Sequence, residues 1–136
     1  MLRAQDLSRH YVMGASLVKA LDGLTLTIAE GEFVALLGTS GSGKSTLLNL
    51  VGGLDQPTSG SLSVGGRNLA SLTRDELSLH RRHTVGMIFQ SFNLVPTMTA
   101  AENVSLSLMF AGVPRTERLT RATALLESMG LGGRQH

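Results

Sequence analysis

Residues Gly38 to Ser45, GTSGSGKS, fit the pattern G-x-x-x-x-G-K-[ST], whose chemistry is the holding of phosphate groups. Glycine at Gly41 and Gly43 lets the backbone curl until consecutive N–H groups face one anion. The loop Gly38, Thr39, Ser40, Gly41, Ser42 and Gly43 is therefore expected to form the cradle. A helix that follows directly turns its positive end toward the same point. There Lys44 would neutralise β- and γ-phosphates, Ser45 would ligate Mg²⁺ and Thr46 would reach the α-phosphate. Composition favours this over an incidental glycine-rich turn, because the chain carries only two lysines, Lys19 and Lys44.

Such a loop works only between a buried strand and a helix, and the flanking residues predict both. The alternation LTLTI (Leu24 to Ile28) reads as a half-buried strand, and the apolar run EFVALLG just before the loop suits a buried one. The run KSTLLNLVGGL predicts a helix ending near Gly52 and Gly53. Beyond a turn at Pro57 and Gly60, SLSV reads as a short strand closed by Gly65 and Gly66. Two T-x-x-E boxes, Thr73 with Glu76 and Thr99 with Glu102, mark helix starts, the second helix running to Gly112. VGMIFQ, Val85 to Gln90, is a second buried-strand candidate, and a last helix is expected from about Arg115 to Met129, with Gly130 as its C-cap. This order predicts an α/β fold with an antiparallel N-terminal part.

Composition bounds the rest. With 42% hydrophobic and 16% charged residues in 136, the chain is one modest globular domain and not a disordered tail. No apolar run approaches the ~18 residues that cross a bilayer, and the start, MLRAQDLSRHY, lacks the features of a secretory leader. Cysteine is absent, which excludes disulfides and thiolate metal sites and fits a cytoplasmic setting. The net charge is only +2, and the single basic cluster, HRRH at His80 to His83, has no interleaved aromatics. A solvated helix face explains it better than a nucleic-acid or anionic-lipid surface.

Taken with Tyr11 and Gln90 in order around the loop, the stretches YVMGASLVKALDGLTLTIAEGEFVALLG, LDQPTSGSLSVGGRNL and VGMIFQSFNLVPTMTAAENVSLSL resemble the ATP-binding subunit of an ABC transporter. FQSFNLVPTMTAAENV resembles the branch serving lipoprotein release and macrolide export. The resemblance implies a P-loop NTPase core with an N-terminal antiparallel β subdomain, and Mg²⁺ and ATP as ligands. It assigns Tyr11 to stacking on adenine, against the alternative of a strand-edge tyrosine packing on its sheet. It assigns Gln90 to Mg²⁺ and the attacking water, making Lys44 and Gln90 the catalytic pair, against a plain polar residue at a strand end. The segment Ser91 to Glu102 would receive a coupling helix of a permease subunit, which would hold the protein against the inner face of the cytoplasmic membrane. Its Phe92, Leu94, Val95 and Met98 would equally serve as local core. A second nucleotide-binding subunit would complete a dimer. Thr39 stands where the family usually has Pro, and its side chain is expected to point away from the phosphates.

After LLESMGLGGRQH the family pattern continues with the signature LSGGQ, an apolar strand ending in Asp-Glu, and a switch histidine; residues 1–136 contain none of these. His10, His80, His83 and His136 do not match the switch position. As a partial nucleotide-binding domain over residues 1–136, incomplete at its C-terminus, the chain is expected to bind Mg·ATP weakly and, alone, not to turn it over. The apolar runs Phe33 to Leu37 and Val85 to Phe89 are expected to lack strand partners and to present adhesive edges. A non-catalytic ATP-binding or interaction module made at this length is the alternative. An unrelated P-loop enzyme such as a small-molecule kinase is disfavoured, since no acceptor site accompanies the loop.

Overall fold

The computed structural model describes residues 1–134 and divides into two compact units, Met1–Met87 and Ile88–His136. His136, which does not match the switch position, lies outside the described residues. In the first unit β1 (Leu2–Met13) and β2 (Ser16–Ile28) form a long antiparallel hairpin through Gly14 and Ala15. Gly14 sits at φ +61°, as the first position of a primed two-residue turn requires. β3 (Ser59–Val64) pairs on the other side of β1, and β4 (Arg67–Asn68) follows through Gly65 and Gly66. The four-stranded sheet has the order β2-β1-β3-β4, the antiparallel β subdomain expected.

Two helices lie on this sheet's unit, α1 (Lys44–Val51) and α2 (Arg74–His83). The core holds Ala4 and Leu7 of β1, Leu62 of β3, Leu47 and Leu50 of α1, Leu77 of α2, and Leu69. Leu47 and Leu50 are three residues apart and share one helix face. Each leucine taken from water contributes about 1.5–3 kcal/mol, so the face that seats α1 also fixes where its N-terminus points. His80 of α2 is buried beside them and bonds the Val51 carbonyl through Nε2 at 3.0 Å. The capping box of α2 is complete: the Thr73 N–H donates to Glu76 Oε2 at 2.8 Å, and the Glu76 N–H donates to Thr73 Oγ1 at 3.3 Å.

Two strand expectations are corrected. Neither Phe33–Leu37 nor Val85–Gln90 forms a strand. An apolar run becomes a strand only where a neighbour satisfies its N–H and C=O groups, and among the described residues neither run has one. Phe33 and Leu37 stand 96% and 91% exposed, and Ile88 is fully exposed. The expectation that these runs lack strand partners thus agrees with the structure. β1 and the short β4 are the strands that sequence reading missed.

The second unit is helical: α3 (Ala100–Val104), α4 (Leu106–Phe110) and α5 (Arg115–Ser128). One continuous helix was expected from Thr99 to Gly112. Instead it breaks at Ser105, whose hydroxyl donates back to the Glu102 carbonyl at 2.9 Å and competes with the regular ladder there. α5 ends as expected: Gly130 has φ +73°, and the Leu131 N–H reaches Leu126 O at 2.8 Å.

Candidate functional site

The glycine-rich loop runs directly into a helix, as the sequence predicts. α1 begins at Lys44 with Gly43 as its N-cap, in the left-handed region at φ +87°. The first turn has no side-chain cap and no acidic residue. Helix-end N–H groups need an acceptor, and those of Lys44, Ser45 and Thr46 have no side-chain cap at the positive end of the helix dipole, where an anion could satisfy them. Gly41, at φ +81°, makes the preceding bend. The Lys44 ammonium bonds Gly38 O at 2.8 Å, Thr39 O at 2.7 Å and Ser42 Oγ at 3.1 Å, which holds its charge over the loop. Thr39 takes part through its carbonyl, to which the Ser42 N–H also donates at 3.3 Å.

The loop is backed by β2. A Cβ on Gly43 would run into the Ala20 carbonyl oxygen and stand 2.8 Å from Leu21 Cδ2. Glycine is thus required there by conformation and by space. Beneath the loop a cavity of about 280 Å³ is lined by Leu21, Leu24, Leu36 and Leu47 among others, so the Lys44 stem rises from apolar walls.

Tyr11 lies on β1 opposite Val18 of β2, two residues from the Ala20 that touches Gly43. Its hydroxyl donates to Asp55 Oδ2 at 2.7 Å. The Arg9 guanidinium grips both Asp55 oxygens, Nε to Oδ2 and Nη2 to Oδ1, each at 2.8 Å. Its Cζ lies 4.5 Å from the centre of the Tyr11 ring. Burial pushes the Asp55 carboxyl up, but the Tyr11 hydroxyl, the Gln56 N–H and Arg9 together hold it below the usual carboxylate range. Arg9 and Asp55 were not singled out from sequence, although Asp55 sits inside the quoted stretch LDQPTSG.

Gln90 belongs to the second unit, where it is exposed. The loop and Tyr11 thus belong to the first unit, and Gln90 to the second. After Gln90 the chain runs without regular structure to α3. Asn93 takes a left-handed turn at φ +48° and accepts from the Ser91 hydroxyl at 2.8 Å. Phe92 and Leu94 are 90% and 62% exposed, and Val95 is also exposed. These three are not local core; Met98 is half-buried. Asn103, also missed, rivets this loop to α3. Its Oδ1 accepts from the Val95 N–H at 2.8 Å, and its Nδ2 donates to Val95 O, Met98 O and Thr99 O at 3.0–3.2 Å.

The family model described as ABC transporter matches residues 21–136. The chain belongs to the ABC transporter family. Macrolide export ATP-binding/permease protein MacB of Hyphomonas neptunium is 47% identical over 136 residues, all of this chain and 21% of that protein. Pyoverdine export ATP-binding/permease protein PvdT of Pseudomonas fluorescens is 48% identical over 131 residues, 96% of this chain and 20% of that protein. This ABC chain thus spans about a fifth of the length of the curated relatives it matches. Among solved structures, the dimeric ATP-binding cassette MJ0796 bound to ADP and Pi superposes with a TM-score of 0.84 at 42% identity. That match covers 93% of this chain and 56% of MJ0796. The fold is that of an ABC ATPase cassette in its N-terminal part, of the MacB-like branch. No described helix is long and apolar enough to cross a membrane.

Proposed function

We propose that this chain binds Mg·ATP as the ATP-binding part of an ABC exporter. The observation that carries the reading is the uncapped N-terminus of α1 beneath a lysine held over its loop. A triphosphate accepts from the backbone N–H groups of Gly41 to Thr46, and Lys44 neutralises charge on its β- and γ-phosphates. Ser45, at the second helical position, supplies a hydroxyl to Mg²⁺, which bound there would spread the phosphate charge. Gln90 is the second protein oxygen proposed for that ion and for the attacking water. The adenine base stacks on Tyr11. These residues bind, orient and neutralise; we assign none of them the polarising of water, so turnover by these residues alone is not expected.

The exposed Phe92, Leu94 and Val95, on a loop pinned by Asn103, support the proposal that a permease docks there and holds the chain at the inner face of the membrane. The dimeric cassette named above supports pairing of two such domains around nucleotide. The two relatives are named for macrolide and pyoverdine export, and export of a small organic molecule is the corresponding proposal here.

Titration of the full chain with Mg·ATP and with Mg·tripolyphosphate tests the site. Lys44→Ala removes charge-assisted bonds and should weaken both ligands about tenfold to a hundredfold. Unchanged affinity for both would sink the reading.

A further inference from the structure

We infer that Asp55 is a positioning residue for Tyr11, fixing the ring in the orientation a nucleotide base needs; this rests on the stacking proposed above. Four donors use up the carboxylate. Oδ2 accepts from Arg9 Nε and the Tyr11 hydroxyl, while Oδ1 accepts from Arg9 Nη2 and, at 2.8 Å, from the Gln56 N–H. The Gln56 bond ties the carboxylate to its own backbone, so the hydroxyl is tied to a fixed point.

The turn carrying Asp55 is itself pinned along β1. The Thr58 N–H donates to Ser8 O at 2.8 Å, and the His10 N–H donates to Thr58 Oγ1 at 3.0 Å. A tyrosine held at its hydroxyl and covered on one face by a guanidinium has lost its rotamer freedom. That freedom need not be lost again when a ligand arrives. Arg9 occupies one ring face, so a stacking base would take the other. The same β1–β2 ladder carries both parts of the site: Tyr11 faces Val18, and two residues along, about 7 Å, the Ala20 carbonyl backs Gly43. Asp55 thereby sets one end of the nucleotide site while touching no ligand.

The test compares Mg·ATP with Mg·tripolyphosphate, which needs the phosphate loop but offers no base, by calorimetric titration of the full chain. Tyr11→Ala should weaken ATP about tenfold or more and leave tripolyphosphate unchanged. Asp55→Asn and Tyr11→Phe should each weaken ATP about threefold to tenfold, again sparing tripolyphosphate. The double variant should be no worse than either single, since both cut one tether. If Tyr11→Ala weakens ATP while Asp55→Asn and Tyr11→Phe match the parent, the positioning role is overturned and stacking stands. If Tyr11→Ala spares ATP, stacking fails and this inference with it. Equal weakening of both ligands by Asp55→Asn would show a merely structural role. Should Asp55→Asn not fold, Tyr11→Phe carries the comparison alone.

Discussion

Replacing Gly43 by alanine should cost more than replacing Gly41, although both glycines occupy the same left-handed region at φ +87° and +81°. An L-residue there costs roughly 1–2 kcal/mol in either place. At Gly41 a Cβ meets nothing within 4 Å, so that conformational term is the whole cost. At Gly43 it meets the Ala20 carbonyl oxygen and, at 2.8 Å, Leu21 Cδ2. The carbonyl belongs to a paired strand and does not give way as a side-chain tip does. Overpacking of this kind adds about 1–3 kcal/mol. Urea unfolding of the full chain, followed by circular dichroism, reads the difference. At an m-value of about 2 kcal/mol/M the two midpoints should lie about 0.5–1.5 M apart, with Gly43→Ala the lower and m unchanged. Mg·tripolyphosphate affinity should fall along with it, since the same displacement moves the first-turn N–H groups. Coincident midpoints would refute the claim that β2 templates the loop.

The Asp55 carboxyl, held low in the folded state, contributes stability that is present above its unfolded value of about 3.9 and lost as pH falls through the lower folded value. The thermal midpoint of Asp55→Asn should lie below the parent's at pH 7 and approach it below about pH 4; a constant gap down to pH 3 would contradict this. Asn103→Ala should remove about 1–3 kcal/mol of local stability from residues 95–99. Hydrogen exchange would show the Val95 N–H losing protection while α5 amides keep theirs, and equal loss in α5 would contradict the local role.

What was legible depended on how far apart the cooperating residues lie. Both capping boxes join residues three positions apart, and both formed as read. The loop and its helix are likewise one contiguous stretch. β1 was hidden because bulges, with Asp6 at φ +48°, break the alternation that marks a strand. Phe33–Leu37 failed for the opposite reason: its apolar pattern is real, but strand formation is a property of a pair. Asp55 meets Arg9 and Tyr11 across 46 and 44 residues, a separation no local pattern encodes. Ser105 looked like any helical serine until its hydroxyl bonded backwards.

The β1–β2 ladder also sets an order of events in time. Its register joins Leu2 to Ile28 through a two-residue turn, so its last residue leaves the ribosome well before Val51 completes α1. At ~5–20 residues per second that interval is about one to five seconds, against ~1–10 μs for one hairpin closure. The hairpin can therefore open and close many thousands of times before the phosphate loop exists, and the loop arrives to find the strand that will mould it. Gly14→Val, placed in the turn at φ +61°, should accordingly slow folding more than it speeds unfolding, and a chevron whose unfolding arm alone moves would reverse that order.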